Sequence, residues 1–264
     1  MKLLLVAASI ALAVTAAAGA TPLAVPTKQP GKLIVGFDVP APAFWNGRPT
    51  GTTIKHPSGF EWALSQAIAK KLGISKVQYL RAPFGGLFAP APKKYDFALE
   101  EVTITAERAK VVGFSAPYFD ANQGVLIRKG LAKPKTIADL KKLQLCAQSS
   151  TTGLAYIQHK IRPAKKPLVY SASSTAAFDA VESGKCDALI LDVPIVASQS
   201  KKKPGAYGGV VGQIVTNEHY GAVMDKGSKL KPFVDKAIKA LKANGTIKRL
   251  TRKWLLNPIP PVLK

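Results

Sequence analysis

The sequence predicts an α/β protein made of two units, each a mostly parallel sheet flanked by helices. Strand-like and helix-like segments alternate along the chain, which is the signature of strand–helix–strand packing. The alternation breaks at Pro117-Tyr118 and then restarts. Two helices close the chain and could complete either unit. If they return to the first, two strands cross between the units and form a hinge.

The first element is a leader over residues 1–20. Lys2 gives the positive start, "LLLVAASIALAV" the apolar stretch, and Ala18-Gly19-Ala20 small residues at a cleavage point. The stretch is short for a membrane span, which needs about 20 apolar residues. Without cleavage it would be an anchor. No cysteine lies near the cut, so no lipid anchor is expected. The expectation is a secreted or periplasmic protein.

In the first unit, "KLIVGF" (Lys32 to Phe37) reads as a buried strand. "EWALSQAIAKKLG" reads as a helix, with Leu64, Ile68 and Leu72 spaced by four and Gly73 as its stop. "VQYL", "YDFALEE" and "QGVLIRKG" read as further strands. In the second unit, "TIADLKKL" is a short helix capped by Thr136 with Asp139 in its first turn. "LQLCAQ" is a strand, "TTGLAYIQHKI" a helix, "PLVY" a strand, "STAAFDAVESG" a helix and "CDALILD" a strand. "KKKPGAYGGVVG" reads as a surface loop and lacks the features of a phosphate-binding loop. Of the two last helices, the first shows an apolar face of Phe233, Val234, Ala237, Ile238 and Leu241. The second shows Ile247, Leu250 and Trp254.

The formal charge is +23; loss of the leader removes Lys2 and leaves +22. Such a charge suits anionic partners. The lysines are dispersed, and no basic run is interleaved with aromatics as a single-strand binder requires. The reading is a solvated basic surface facing anionic lipid or cell wall, with no nucleic-acid partner. His56, His159 and His219 are not at metal-ligand spacing, so no metal and no cofactor is expected. Cys146 and Cys186 lie at predicted strands. Export permits a disulfide; the alternative is two buried thiols.

Several segments then fall into a familiar order: "GKLIVGFD", "SGFEWALSQAIAKKLG", "PFGGLF", "YDFALEEVTITAERAKVVGFSAPYF", "CAQSSTTG", "GKCDALILDVPIV" and "ANGTIKRLTRKW". In this order the chain resembles the extracytoplasmic amino-acid-binding proteins of ABC importers, solute-binding protein family 3. The resemblance implies a two-lobed periplasmic-binding-protein-like fold of type II, with two crossing strands and closure by hinge motion. It implies a discontinuous first lobe, 28–122 with 217–264, and a second lobe, 123–216. It also implies a monomer that captures a polar or basic amino acid and hands it to a membrane ABC permease. Arg108 would grip the α-carboxylate, because its planar fork matches that group. Thr103, Ser150, Thr151 and Thr152 would help, and the amides that open the helix after "SSTTG" favour an anion. Asp192 would grip the α-ammonium; otherwise it is a helix cap. Asp38 is a ligand or a turn residue, and Phe84 is an apolar wall.

The chain departs from the family pattern in places. Glu100 and Glu101 stand where Gly or Ser is usual. Facing the pocket, they would favour a cationic ligand, with Glu100 a selectivity residue; pointing away, Glu100 would pair with a surface lysine. Ala41 stands where an aromatic platform is common, and Phe44, Trp45 or Phe84 would replace it, Trp45 as a second selectivity residue. Two other functions compete. A cyclohexadienyl or arogenate dehydratase-like enzyme would use Glu100 or Glu101 as a general acid. A sensory protein would use the same closure to signal.

Overall fold

The computed structural model describes residues 24–171, 174–255 and 260–264, so the leader expected at 1–20 lies outside the described residues. The chain opens with β1 (Lys32–Phe37), a hairpin of β2 (Asn46–Thr50) and β3 (Thr53–Ser58), α1 (Phe60–Lys71), β4 (Lys76–Arg81), β5 (Phe97–Ala98), α2 (Ala106–Ala109) and β6 (Gly113–Phe114). β7 (Phe119–Arg128) crosses into a second region holding α3 (Ile137–Leu140), β8 (Leu145–Gln148), α4 (Thr152–Tyr156), β9 (Leu168–Tyr170), α5 (Ser174–Glu182), β10 (Ala188–Asp192) and α6 (Val193–Lys202). β11 (Tyr207–Tyr220) crosses back to β12 (Val223–Met224), α7 (Lys231–Ala243) and α8 (Thr246–Trp254). The first sheet has the order β4-β1-β5-β12-β6 and the second β11-β7-β10-β8-β9. These are two lobes joined by two antiparallel strands, with Phe119 paired to Tyr220 at the crossing.

Local chemistry explains the first lobe. Phe60, Leu64 and Ile68 recur every four residues and are fully buried, so α1 presents one apolar stripe to the sheet and to α7 and α8. Each such side chain contributes about 1.5–3 kcal/mol by leaving water. Gly59 opens the helix at φ 120°, and a Cβ there would lie 2.3 Å from the Phe44 carbonyl oxygen. Only glycine fits that backbone and that approach. The capping box predicted at Thr136 and Asp139 is present. The hairpin over 46–58 was not foreseen.

The crossing is packed with aromatic rings. Phe119 stacks on Tyr220 at 5.5 Å, and Phe44 and Phe60 meet Phe119 edge-on at 6.2 and 5.6 Å. The hydroxyls at its border reach carboxylates: Tyr220 donates to Asp192 and Tyr118 to Glu61.

Several expectations change. The segment read as a loop ends in a 14-residue strand, β11, that runs along β7. Register shifts at Tyr207/Gly209, Val210/Gly212 and Ile214/Glu218 interrupt its alternation, so no period of two is visible in the sequence. Gly212 leaves room for Leu263, since a Cβ there would lie 2.4 Å from Leu263 Cγ and the leucine would have to shift. The C-terminal tail therefore lies on the second lobe, not on the first as 217–264 implied. Leu263 N–H donates to Gln213 O (2.9 Å), Gln213 N–H to Pro261 O (2.8 Å) and Ile137 N–H to Lys264 O (2.9 Å). The strand read over "YDFALEE" pairs only at Phe97–Ala98 before the chain turns towards the gap between the lobes.

Trp45 is not beside the ligand gap. It is buried in the first lobe, where its indole N–H donates to Glu61 Oε2 (2.9 Å) and to Leu99 O (2.8 Å). Its platform role therefore gives way to a structural one. Trp45→Phe should lower stability by about 1–3 kcal/mol, because two buried acceptors lose their donor. Denaturant unfolding checks the loss, and ligand affinity should change by less than about threefold.

Cys146 and Cys186 form a disulfide, with a Cα separation of 6.0 Å, tying β8 to the residue stretch that enters β10. The bridge spans 40 residues of sequence. Replacing both cysteines with alanine should cost about 3 kcal/mol, since the unfolded chain regains freedom. The readout is a lower denaturant midpoint with a somewhat steeper slope, because the unbridged chain unfolds to a more open state.

Candidate functional site

A cavity of about 640 Å³, counting its mouth, lies between the lobes. Asp38, Phe84, Glu100, Glu101, Thr103 and Arg108 line it from the first lobe, and Thr151, Thr152 and Asp192 from the second. Nine of the predicted residues thus meet at one place. Ser150 contributes its carbonyl to this region rather than its hydroxyl, and Trp45 stays outside.

Arg108 sits on α2, whose start is capped by Thr105 accepting from the Arg108 N–H (3.1 Å). Its guanidinium donates to Thr103 O (2.7 Å) in one lobe and to Ser150 O (2.9 Å) in the other. The Phe88 and Phe84 ring centroids lie 4.7 and 5.6 Å from it, within cation–π range. Carbonyls and rings hold the fork in place, and among the described residues no carboxylate neutralises it by direct contact. Burial pulls its pKa down, while Asp192 and Glu218 pull it up; the group stays charged.

Asp192 ends β10 and precedes α6, yet its carboxylate makes no capping bond. It turns into the cavity, where Gln123 Nε2 (2.5 Å) and the Tyr220 hydroxyl (2.5 Å) donate to it. Burial first, and the Glu218 charge second, push its pKa up to about 7. Thr151 does cap α4: its hydroxyl accepts from Leu154 N–H (3.2 Å) and donates to Gln148 O (2.7 Å). Asp38 accepts from Val39 N–H (2.9 Å), from Arg81 Nε (3.3 Å) and weakly from Phe84 N–H (3.4 Å). It combines a turn role with a place on the wall.

Glu100 and Glu101 face inward. Glu100 is only 4% exposed, and neither of its oxygens has a hydrogen-bond partner. Burial, with Asp38 and Glu61 close by, holds its pKa well above the ordinary carboxylate range. Glu101 is raised in the same way by burial and by Glu61. Its backbone takes φ 52°, a left-handed conformation uncommon for a side chain this long. The Glu101 N–H donates to Glu61 Oε1 (2.9 Å), which holds that turn.

Glu218 was missed. It lies on β11 and takes the Thr103 hydroxyl (2.7 Å), the Thr152 hydroxyl (2.6 Å) and Gln123 Nε2 (3.1 Å). One carboxylate thus joins hydroxyls from both lobes. Both threonines line the same cavity as Arg108.

A fork-shaped cation, two hydroxyls and a buried carboxylate converge between two hinged lobes. This defines a two-lobed protein with a polar, charged cavity at the junction of its lobes. The chain belongs to the bacterial extracellular solute-binding proteins, family 3, whose model matches residues 33–257. It is 29% identical over 203 residues to ABC transporter arginine-binding protein 1 of Escherichia coli (strain K12), covering 74% of this chain and 81% of that one. Among solved structures it is similar to an ancestral arginine-binding protein bound to arginine (TM-score 0.74, 33% identity, covering 86% and 99% of the two chains). It is also similar to an ancestral amino-acid-binding protein, a precursor of cyclohexadienyl dehydratase (TM-score 0.72, 31% identity, covering 86% and 96%).

Proposed function

We propose that this protein captures a polar or basic amino acid outside the cytoplasm and delivers it, as a monomer, to a membrane ABC permease. The observation that carries this reading is the opposition of Arg108 and Asp192 across one cavity. Arg108 receives the α-carboxylate, with the Thr103 and Thr152 hydroxyls beside it. Asp192 receives the α-ammonium, and ligand binding favours its ionised form. The side chain then extends along Phe84 towards Asp38 and Glu100. Lobe closure excludes water and strengthens both ion pairs. Relatives named for arginine support the basic end of this range.

Thermal unfolding of the stripped protein against amino acids at about 1 mM tests the reading. A ligand with a dissociation constant near 1 μM should stabilise by about 4 kcal/mol. No shift with any amino acid would sink it. A second reading rests on Glu100. A buried carboxyl group whose surroundings favour its protonated form, in the same cavity as Arg108, suits acid-assisted dehydration of a cyclohexadienyl carboxylate, and one structural neighbour precedes such an enzyme. Turnover of prephenate or arogenate, lost in Glu100→Gln, would favour that reading.

A further inference from the structure

Glu61 and Glu100 are both buried acids of the first lobe, but only one has a structural occupation. Glu61 is satisfied by Trp45, Tyr118 and the Glu101 N–H. Glu100 lines the cavity with both oxygens unpartnered, and Glu101 Oε1 is likewise unpartnered. Buried polar atoms in folded proteins are nearly always paired. An acid aimed into a ligand cavity without partners is therefore an acid waiting for one.

We propose that Glu100, with Glu101 beside it, forms a proton-exchanging subsite for a cationic ligand side chain. The ligand's distal cation takes the place of a proton on this carboxyl pair, and the proton leaves to solvent. The exchange balances with no other reactant: a carboxylic acid and a free cation become a carboxylate–cation pair and one released proton. The inference rests on the amino-acid reading above and adds to it what the far end of the cavity does.

The surroundings favour this exchange. Asp38 at the end of β1, Glu61 from α1 and Glu101 next in the chain are the acidic neighbours. Tyr95, ahead of β5, and Tyr118, ahead of β7, feel the Glu100 charge as well. Asp192 adds its charge to Glu101 from across the cleft. Among the cations described here, Arg81 binds Asp38, and Arg108 is held by the Thr103 and Ser150 carbonyls. No cation among them therefore compensates Glu100 directly, and burial with these carboxylates favours the protonated form of the pair in the empty protein. A bound guanidinium or ammonium supplies the missing charge and reverses that preference.

Calorimetric titration with L-arginine and with L-citrulline, its neutral isostere, tests the subsite. Heats measured in phosphate and in Tris give the protons released. Asp192 contributes equally to both ligands, since both carry an α-ammonium, so the difference isolates the far end. Arginine should release up to about one proton more than citrulline, and its affinity relative to citrulline should rise by up to about tenfold per pH unit near neutrality. Both differences should vanish in Glu100→Gln, whose cooperative thermal melt checks that the variant folds. Equal proton release for the two ligands in the natural protein overturns the proposal, as does an unchanged difference in Glu100→Gln. Failure of arginine to bind while a neutral amino acid binds overturns the subsite and leaves the amino-acid reading standing. Failure of every amino acid removes both.

Discussion

Arg108→Ala should weaken amino-acid binding by about thirtyfold to several thousandfold, because truncating one partner of a buried, hydrogen-bonded charge pair costs roughly 2–5 kcal/mol. The loss has two sources. The α-carboxylate loses a two-pronged cation in a water-poor cleft, where the pairing is strongest. The closed arrangement also loses the bond from Arg108 in the first lobe to Ser150 O in the second. Arg108→Lys separates charge from geometry. An ammonium cannot reach Thr103 O, Ser150 O and a ligand carboxylate with one planar fork, so lysine should recover only a small part of the affinity. Calorimetry gives the affinities, and melting of the ligand-free variants gives the structural share. Alanine binding within about threefold of the natural protein would remove Arg108 from the carboxylate site.

The parts of the fold that were legible in the sequence are those whose signal is local. The α1 stripe of Phe60, Leu64 and Ile68 repeats within three turns, and Gly73 marks its end. Strand β11 was hidden because its glycine-rich start carries register shifts that erase alternation. The seat of the C-terminal tail was hidden for a different reason: Leu263 fills the space that Gly212 leaves, and nothing near either residue announces the other. In the site, Arg108 and Asp192 were legible because ordered family landmarks surround each of them. Trp45 was misplaced because adjacency to Ala41 does not reveal which way an indole points. Its partner Glu61 is 16 residues away in sequence. Glu218 carries no signal at all: it is a lone acid on a crossing strand, and it matters only because Thr103 and Thr152 converge on it from opposite lobes.

The ligand-free protein should be more stable at about pH 5.5 than at about pH 8, opposite to a protein held by salt-bridged carboxylates. The sign follows from where protons sit. Asp192 has a folded pKa of about 7, against an ordinary 3.8. Between these values the folded state holds a proton that the unfolded state has lost, so stability falls as pH rises through that window. From Asp192 alone the fall between pH 5.5 and 8 is about 2 kcal/mol. Glu100 and Glu101 are also raised and add to it. The carboxylates that work the other way are Asp139, lowered by the Lys135 and Thr136 N–H groups, and Asp187 and Asp225, lowered by Arg128 and by Lys28. They are ionised throughout this range and contribute no slope. A saturating cationic ligand should flatten the profile, since it stabilises the ionised carboxylates that the empty cleft disfavours. Asp192→Asn should flatten part of it without ligand. Melting temperatures at the two pH values, with and without arginine, decide the matter. A ligand-free protein that melts higher at pH 8 would show that these acids are already ionised in the empty cleft. Arg108 would then face a cavity whose negative charge is permanent rather than called up by the ligand.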